Sequence, residues 1–208
     1  YELTAKGGHT NNYALINNID LRATSWTPLF INERGFQGIF DGRGFTIRNL
    51  KIDNEYENLG FFERLDGAII RNLHFRNVNI SASSDWASEL GIIAGTTRSG
   101  SARNNIIRNV QIINASIVTT GSGIDIGGLI GDNNGPVVLT NISVSVTIPA
   151  IEGERVGGIV GRVDANLTAS SVTVRGAIGT FGYDNTADVG GFFGEVEDTE
   201  VLTIFDSV

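Results

Sequence analysis

Two groups of acidic and aromatic residues are the part of the sequence best suited to binding a ligand. The groups are Asp85, Trp86 and Glu89, and Phe181, Tyr183, Asp184 and Asp188. Aromatic rings beside carboxylates can bind a sugar or a protein partner, and carboxylate oxygens can hold a loosely bound calcium ion. The alternative is that these aromatic side chains fold back and cover the apolar interior.

Catalysis by a pair of carboxylates is the second chemistry to consider. Hydrolysis across a glycosidic bond needs two carboxyl groups at a set separation. The acidic residues of this chain are scattered, and their densest run, residues 195–200, predicts a solvated turn. The sequence around His9 forms no catalytic or metal-binding motif, and there is no phosphate-binding glycine loop or dinucleotide-binding pattern. We therefore expect no enzymatic activity and no cofactor, with a polysaccharide hydrolase or lyase as the alternative.

The composition excludes several classes of partner. The 208 residues carry a net charge of -8, which disfavours contact with a nucleic-acid backbone. The chain contains no cysteine, so it has neither disulfides nor a thiolate metal site. It has no run of about 18 apolar residues, so we expect no membrane insertion. The 27 glycines favour short strands and tight corners over helices.

A glycine-rich phrase recurs along the chain and must position these residues. It has the form Val-Gly-Gly-Ile-Val-Gly at residues 156–161, and similar phrases occupy residues 126–131 and 189–194. Weaker copies begin at Leu59 and Leu90. Aligning the copies by the glycines at positions 60, 91, 128, 158 and 191 gives spacings between 30 and 37 residues. A repeat of this length is typical of a solenoid, in which each unit buries its apolar side by stacking on its neighbours.

A second phrase with alternating apolar residues follows each glycine phrase. Stacking its copies predicts four columns of equivalent side chains. One inward column holds Leu50, Leu73, Val110, Ile142 and Val172. The next inward column holds Ile52, Phe75, Ile112, Val144 and Val174. The outward polar column holds Lys51, His74, Gln111, Ser143 and Thr173. A corner column holds Asn49, Asn72, Asn109, Asn141 and Ser171, whose asparagines we expect to form a hydrogen-bonded ladder.

These patterns predict an all-β fold, a three-faced parallel β-helix. Its right-handed winding follows from the preference of parallel crossovers. We expect a single domain over residues 1–208, with an irregular aromatic-rich cap over residues 1–46 and repeating rungs over residues 47–208. The variable loops, including 83–89 and 176–188, should then emerge along one edge, where binding sites commonly lie.

The order of these motifs resembles the GLUG-motif β-helix regions of microbial proteins. The resemblance rests on the N-terminal segment, including residues 18–21, 26–28 and 36–50, and on the glycine phrases, and it covers nearly the whole chain. It implies a secreted or surface-attached protein, often a large adhesin-like chain or the stalk region of a surface protease. The His-Glu-x-x-His signature of the protease members is missing here, so the resemblance implies no peptidase activity. Glu63 replaces the closing glycine of the first copy.

The C-terminal residues predict an assembly edge. Leu202, Ile204, Phe205 and Val208 begin a further rung, and an unpaired strand edge can template another chain. The sequence therefore predicts a non-enzymatic extracellular or cell-surface module that belongs to a larger protein or assembles into a filament. Its expected partners are copies of itself or flanking domains, with a surface glycan or host protein as further candidates. Sequons at Asn79, Asn114, Asn141 and Asn166 would be glycosylated only if the source glycosylates exported proteins.

Overall fold

The computed structural model consists of short parallel strands. It describes residues 8–22, 25–31, 34–53, 56–82, 87–100, 102–119, 123–148, 155–179, 188–197 and 201–208. The strands in chain order are β1 (Tyr13–Ala14), β2 (Ile19–Asp20), β3 (Ile39–Asp41), β4 (Thr46–Arg48), β5 (Lys51–Ile52), β6 (Asn58–Leu59), β7 (Phe62–Leu65), β8 (Ile69–Ala82), β9 (Glu89–Gly91), β10 (Ala94–Thr97), β11 (Asn105–Thr119), β12 (Asp125–Gly127), β13 (Ile130–Asn133), β14 (Val137–Thr147), β15 (Arg155–Gly157), β16 (Val160–Val163), β17 (Leu167–Arg175), β18 (Asp188–Gly190), β19 (Phe193–Val196) and β20 (Leu202–Phe205). The described residues contain no helix, and so none that could cross a membrane.

The strands form three sheets in which successive coils of the chain lie side by side. The long sheet has the order β1-β3-β8-β11-β14-β17-β20, with β2, β4 and β5 also attached to it. A second sheet joins β6, β9, β12, β15 and β18, and a third joins β7, β10, β13, β16 and β19. Neighbouring strands belong to consecutive turns and run parallel. The predicted all-β parallel solenoid is therefore confirmed, with about five turns.

The alternating pattern of the long strands determines which side chains enter the core. Leu73, Val110, Ile142 and Val172 are aligned in register and are all buried. Burying each such side chain contributes about 1.5–3 kcal/mol relative to leaving it in water. Outward positions between the buried ones carry polar residues, which include His74, Gln111, Ser143 and Thr173 in one column. The predicted columns are confirmed over these four turns.

The first copy of the strand phrase is out of phase with the prediction. Leu50 is in register with Val78, not with Leu73, because β4 and β5 pair with the second half of β8. Lys51 and Ile52 accordingly lie beside Asn79 and Ile80. The cause is visible in β8, which contains the sequence Arg-Asn-apolar twice, at residues 71–73 and 76–78. The sequence pattern could not tell which of the two corners residues 48–50 occupy.

The glycine phrases are also shifted by one residue in the two weaker copies. Gly91 is in register with Gly127, which in turn aligns with Gly157 and Gly190. It therefore does not correspond to Gly128, as the sequence alignment assumed. The residue at the place of Gly128 is Ile92, which is fully buried. This position thus carries an apolar side chain in the first two turns, Phe61 and Ile92, and a glycine in the last three.

Asparagines form two hydrogen-bonded ladders at the corners of the long strands. These residues have φ values of 52° to 58°, a conformation that asparagine tolerates better than most residues. In the first ladder, Asn109 Nδ2 donates to Asn72 Oδ1 and Asn141 Nδ2 donates to Asn109 Oδ1, both at 3.0 Å. In the second, Asn114 Nδ2 donates to Asn77 Oδ1 at 2.8 Å. The predicted ladder is confirmed, except that Asn49 belongs to the second ladder, where it accepts from Asn77.

Replacing Asn109 by alanine should lower the free energy of unfolding by roughly 2 kcal/mol. The variant loses one donated and one accepted hydrogen bond. It also places an alanine at a φ of 53°, a left-handed conformation that is strained for this residue. An Asn109→Gly variant relieves the backbone strain but not the lost bonds, so we expect an intermediate effect. Urea denaturation would measure both, and an alanine variant as stable as the parent would refute the structural role of the ladder.

The aromatic-rich N-terminal segment packs on the first turn of the solenoid. Phe36 stacks on Phe62 with ring centroids 4.9 Å apart, and Trp26 stacks on Phe61 at 4.8 Å. The Trp26 indole Nε1 also donates a hydrogen bond to the Phe61 carbonyl oxygen at 3.0 Å. The segment contributes β1 to β3 to the long sheet. The N-terminal segment thus places aromatic rings against the first turn and also supplies the first strands of the long sheet.

Candidate functional site

Two columns of polar residues run side by side across the two short-stranded sheets. We call them the polar ladders. The first is formed by the sheet of β6, β9, β12, β15 and β18 and contains Asn58, Glu89, Asp125, Arg155 and Asp188. The second is formed by the sheet of β7, β10, β13, β16 and β19 and contains Arg64, Thr96, Asp132, Arg162 and Glu195. Each turn of the coil adds one residue to each ladder.

Glycines bring the two ladders together. The residue immediately before the second-ladder position in the last four turns is Gly95, Gly131, Gly161 or Gly194. A Cβ on Gly131 would lie 2.5 Å from the backbone nitrogen of Leu90, the neighbour of Glu89 in the chain. A Cβ on Gly161 would lie 2.5 Å from the backbone nitrogen of Ile126, the neighbour of Asp125. Because backbone meets backbone here, the flanking side chains of the two ladders are forced into proximity.

Several oxygen atoms of the ladders are buried without a hydrogen-bond donor. Asp132 and Asn58 are 4% and 2% exposed, and Asp125 is 5% exposed. Within the described part of the chain, Asn58 Oδ1, Glu89 Oε2 and Asp132 Oδ1 have no hydrogen-bond partner. A buried ionised carboxylate without a donor is costly, so such groups tend to hold a proton instead. The proton then supplies the missing donor.

The pKa values of these carboxyl groups follow that expectation. Burial, reinforced by the Asp132 carboxylate, raises the pKa of Glu89 to about 8. Burial, reinforced by Asp164 and Asp125, raises the pKa of Asp132 to about 7. Burial also raises the pKa of Asp125 to about 6, although the Arg155 guanidinium opposes the shift. At neutral pH the Glu89 carboxyl is therefore mainly protonated and can donate a hydrogen bond.

Arginines neutralise the C-terminal half of the ladders. Arg155 forms ion pairs with Asp125 and, at 3.2 Å, with Glu195. Arg162 forms ion pairs with Asp164 at 2.8 Å and with Glu197 at 2.6 Å. The prediction of a solvated turn is therefore wrong for Glu195, because this residue lies in β19, in register with Arg162 of the preceding turn. Glu197 follows the strand and keeps a side chain that is 44% exposed. Glu89 and Asp132 form no such pair with a described arginine or lysine.

A polar cavity of about 320 Å³ opens beside the N-terminal half of the ladders. It is lined by Arg64, Thr97, Arg98, Ser99 and Asn134. Asn134 connects the cavity to the buried acids, because its Nδ2 donates to Asp132 Oδ2 at 2.6 Å. Thr97 is a structural part of the wall, since its hydroxyl bonds to the Gly135 carbonyl oxygen and accepts from the Gly135 amide. The arrangement combines protonatable carboxyl groups, arginines and a solvent-accessible space.

A second cavity, of about 430 Å³, lies at the C-terminal end of the solenoid. Its lining is more apolar and includes Val174, Ile178, Val189 and Phe192. It adjoins the last turn, where the predicted assembly edge also lies. There Leu202 is partly buried against the core, whereas Ile204, Phe205 and Val208 are 45%, 56% and 77% exposed.

The predicted loop surface is only partly visible. Asp85, Trp86, Phe181, Tyr183 and Asp184 lie outside the described residues. Glu89 begins β9 and belongs to the first polar ladder, so it lies in a strand and not in a loop, and its role in a ligand or partner surface stays a prediction. Asp188 begins β18 and occupies the same ladder three strands away, with an exposed side chain. No set of three acidic or histidine side chains among the described residues is arranged to hold a metal ion.

Sequence reasoning missed the residues that complete the ladders. Asp125 and Arg155 precede an apolar-Gly pair by one residue, and Asp132 and Arg162 directly follow the closing glycine of the phrase. The available signal was a polar residue on each side of every glycine phrase. Its meaning depends on the close approach of the two sheets, which the spacing alone does not reveal.

Comparisons with known proteins support the fold and leave the family open. No family model matches the chain, so the GLUG assignment stays a prediction. Halomucin from Haloquadratum walsbyi is 33% identical over 150 residues, which are 65% of this chain and 2% of halomucin. A Bacteroides ovatus crystal structure, provisionally named an immunoglobulin A1 protease, matches with a TM-score of 0.65. That match covers 94% of this chain and 58% of the other at 21% identity, and therefore shows a shared fold.

Proposed function

We propose that the chain is a rigid, non-enzymatic segment of an extracellular or cell-surface protein. The observation that carries this proposal is the stacking of every turn on the next, with both asparagine ladders and a continuous buried core along the axis. Such a stack converts chain length into a stiff rod. The match to halomucin supports a surface location. The small share of halomucin that is covered is consistent with a segment of a much longer chain.

The C-terminal end is proposed to dock a further β-coil, from flanking sequence or from a second copy. Among the strands that the structure describes, β18, β19 and β20 each form the open edge of a sheet, and Ile204 and Phe205 add exposed apolar side chains there. Such an edge is a template for another parallel strand. The remaining proposed partners, a surface glycan or a host protein, would contact the variable loops.

Sedimentation velocity and negative-stain electron microscopy of the purified chain test the docking of copies. We expect concentration-dependent end-to-end association that a Phe205→Lys variant abolishes. An Ile113→Lys variant provides the control, because Ile113 is 38% exposed on the side of the rod. A monomer at all concentrations, or equal loss in both variants, would refute association through this end.

A polysaccharide-cleaving function is the second candidate, and one observation favours it. Glu89 and Asp132 have the raised pKa values that an acid catalyst requires, and Asp132 accepts a hydrogen bond from Asn134, which lines the polar cavity. Incubation with neutral and acidic polysaccharides, followed by measurement of new reducing ends, distinguishes the two functions. Product formation that a Glu89→Gln variant abolishes would establish the enzyme, whereas the structural role predicts no product from any substrate.

A further inference from the structure

The polar cavity contains a positive charge that the described structure leaves without a partner. Arg98 is neutralised, because its Nη1 lies 2.9 Å from Asp66 Oδ2. Gln37 Nε2 also donates to that oxygen, at 2.7 Å, and so helps to hold Asp66 in place. Arg64 forms no ion pair with any described carboxylate and is only partly buried. The charge of Arg64 acts on Glu89, but burial outweighs it and raises the pKa of Glu89 to about 8, which leaves this carboxyl mainly neutral at pH 7.

The remaining lining groups supply unused hydrogen-bonding capacity. The Ser99 hydroxyl makes no hydrogen bond within the described residues and can both donate and accept. Asn134 uses its Nδ2 for Thr96 and Asp132, which leaves its carbonyl oxygen as an acceptor. An oxygen and a hydroxyl at one wall suit a ligand that carries hydroxyl groups of its own. The volume of about 320 Å³ lies at the small end of ligand pockets, which corresponds to one ring and its substituents.

From this combination we infer that the polar cavity binds a carboxylate-bearing sugar, with Arg64 as the group that recognises the carboxylate. The planar guanidinium matches a carboxylate through two parallel hydrogen bonds, which a lysine ammonium does not reproduce. Arg98, held by its ion pair with Asp66, forms part of the cavity wall. Ser99 and Asn134 contact hydroxyl groups of the sugar. The source of the ligand is either a free sugar acid or the terminal uronate of a polysaccharide, since both present the same ring and charge.

Titration calorimetry and amide chemical-shift mapping on the intact chain test the inference. The probes are galacturonate, a galacturonate trisaccharide, glucose as the uncharged ring and acetate as the carboxylate without a ring. We expect both uronates to bind and to shift the amides of Thr97, Ser99 and Gly135, with glucose and acetate at least ten-fold weaker. Tighter binding of the trisaccharide would identify a polysaccharide end as the source, and equal binding would identify the free sugar acid.

Matched variants locate the binding group. Arg64→Gln should weaken uronate binding at least ten-fold, and Arg64→Lys should give an intermediate loss because it keeps the charge without the planar fork. Arg108→Gln, at an exposed position of β11, should bind within two-fold of the parent. Thermal denaturation of each variant confirms that it is folded, and Ser99→Ala provides a second probe of the wall should Arg64→Gln not fold. Absence of uronate binding, equal binding of glucose, or binding unchanged by Arg64→Gln or by Ser99→Ala would overturn the inference.

Discussion

Lowering the pH from 8 to 5 should stabilise the protein by several kcal/mol, up to about 6 kcal/mol when the titrations of two buried carboxyl groups are treated as independent, a change opposite to ordinary acid destabilisation. The cause is the buried pair of carboxyl groups Glu89 and Asp132, whose folded pKa values are about 8 and about 7. In the unfolded chain these groups return to their ordinary values near 4. The folded state therefore binds more protons than the unfolded state between pH 4 and pH 8. Stability increases as the pH falls through this window and is lost as the pH rises through the folded pKa values.

Other carboxyl groups do not reverse this trend in the same window. Hydrogen bonds from Asn49 to Asp20 and from Lys51 to Asp53 lower the pKa values of these two aspartates. A group with a lowered pKa contributes stability above its unfolded pKa and loses it only as the pH falls through the folded value. Their effect therefore begins below about pH 4. We expect a stability maximum near pH 5.

Urea denaturation at pH 5 and pH 8 measures the effect. A variant that combines Glu89→Gln with Asp132→Asn should be more stable than the parent at pH 8. It should lose most of the pH dependence between 5 and 8 and keep the part that Asp125 contributes through its raised pKa of about 6. Asp188→Asn is the matched control, because Asp188 occupies the same ladder but is exposed. It should keep the pH dependence of the parent. A parent that is equally or more stable at pH 8 would contradict the protonation of the buried pair.

A Gly158→Ala substitution should destabilise the fold by about 3 kcal/mol or more, which is the upper range for overpacking. Its Cβ would lie 2.2 Å from the Gly191 carbonyl oxygen of the next turn and 2.6 Å from the Val174 side chain. The nearest atom is backbone, so a whole strand has to move. Substitution should raise the unfolding rate and reduce the yield of soluble protein.

Gly191→Ala is the matched control for this prediction. Gly191 occupies the same place in the glycine phrase one turn later, where an added Cβ meets no atom within 4 Å. The change should therefore alter the free energy of unfolding by less than about 0.5 kcal/mol. Equal effects of the two substitutions would show that the clash with the following turn is not the reason for the glycine.

The sequence predicted the long strands well because burial alternates strictly along them. Leu73, Val110 and Ile142 stand at equivalent places of copies that share the same period, so their stacking followed from pattern alone. Leu50 was assigned to the wrong corner, because two corners per turn carry the same Arg-Asn-apolar signal. Gly91 was aligned one residue away, because Ile92 fills the place of a glycine in the later turns.

The candidate site was less predictable than the fold. Glu89 was recognised as a functional candidate, but its environment depends on the following turn, about 40 residues away in sequence, where Gly131 approaches the backbone of the neighbouring Leu90 and the Asp132 charge raises the pKa of Glu89. Isolated acids at such distances look scattered in the sequence. They are recognised as a ladder only when the register between turns is known to a single residue. The weaker glycine phrases, which begin at Leu59 and Leu90, left this register ambiguous.

The most direct test of coil-on-coil stacking is disulfide formation between cysteines introduced into the outward column of the long sheet. The chain has no cysteine of its own, so each introduced pair is unambiguous. Gln111 and Ser143 are register neighbours on adjacent parallel strands, about 4.8 Å apart, within the range of a disulfide. Gln111→Cys with Ser143→Cys should therefore oxidise rapidly to an intramolecular bond. Gln111→Cys with Thr173→Cys spans two strand spacings, about 10 Å, and should remain reduced; oxidation of this pair but not the first would contradict the stacking of successive coils.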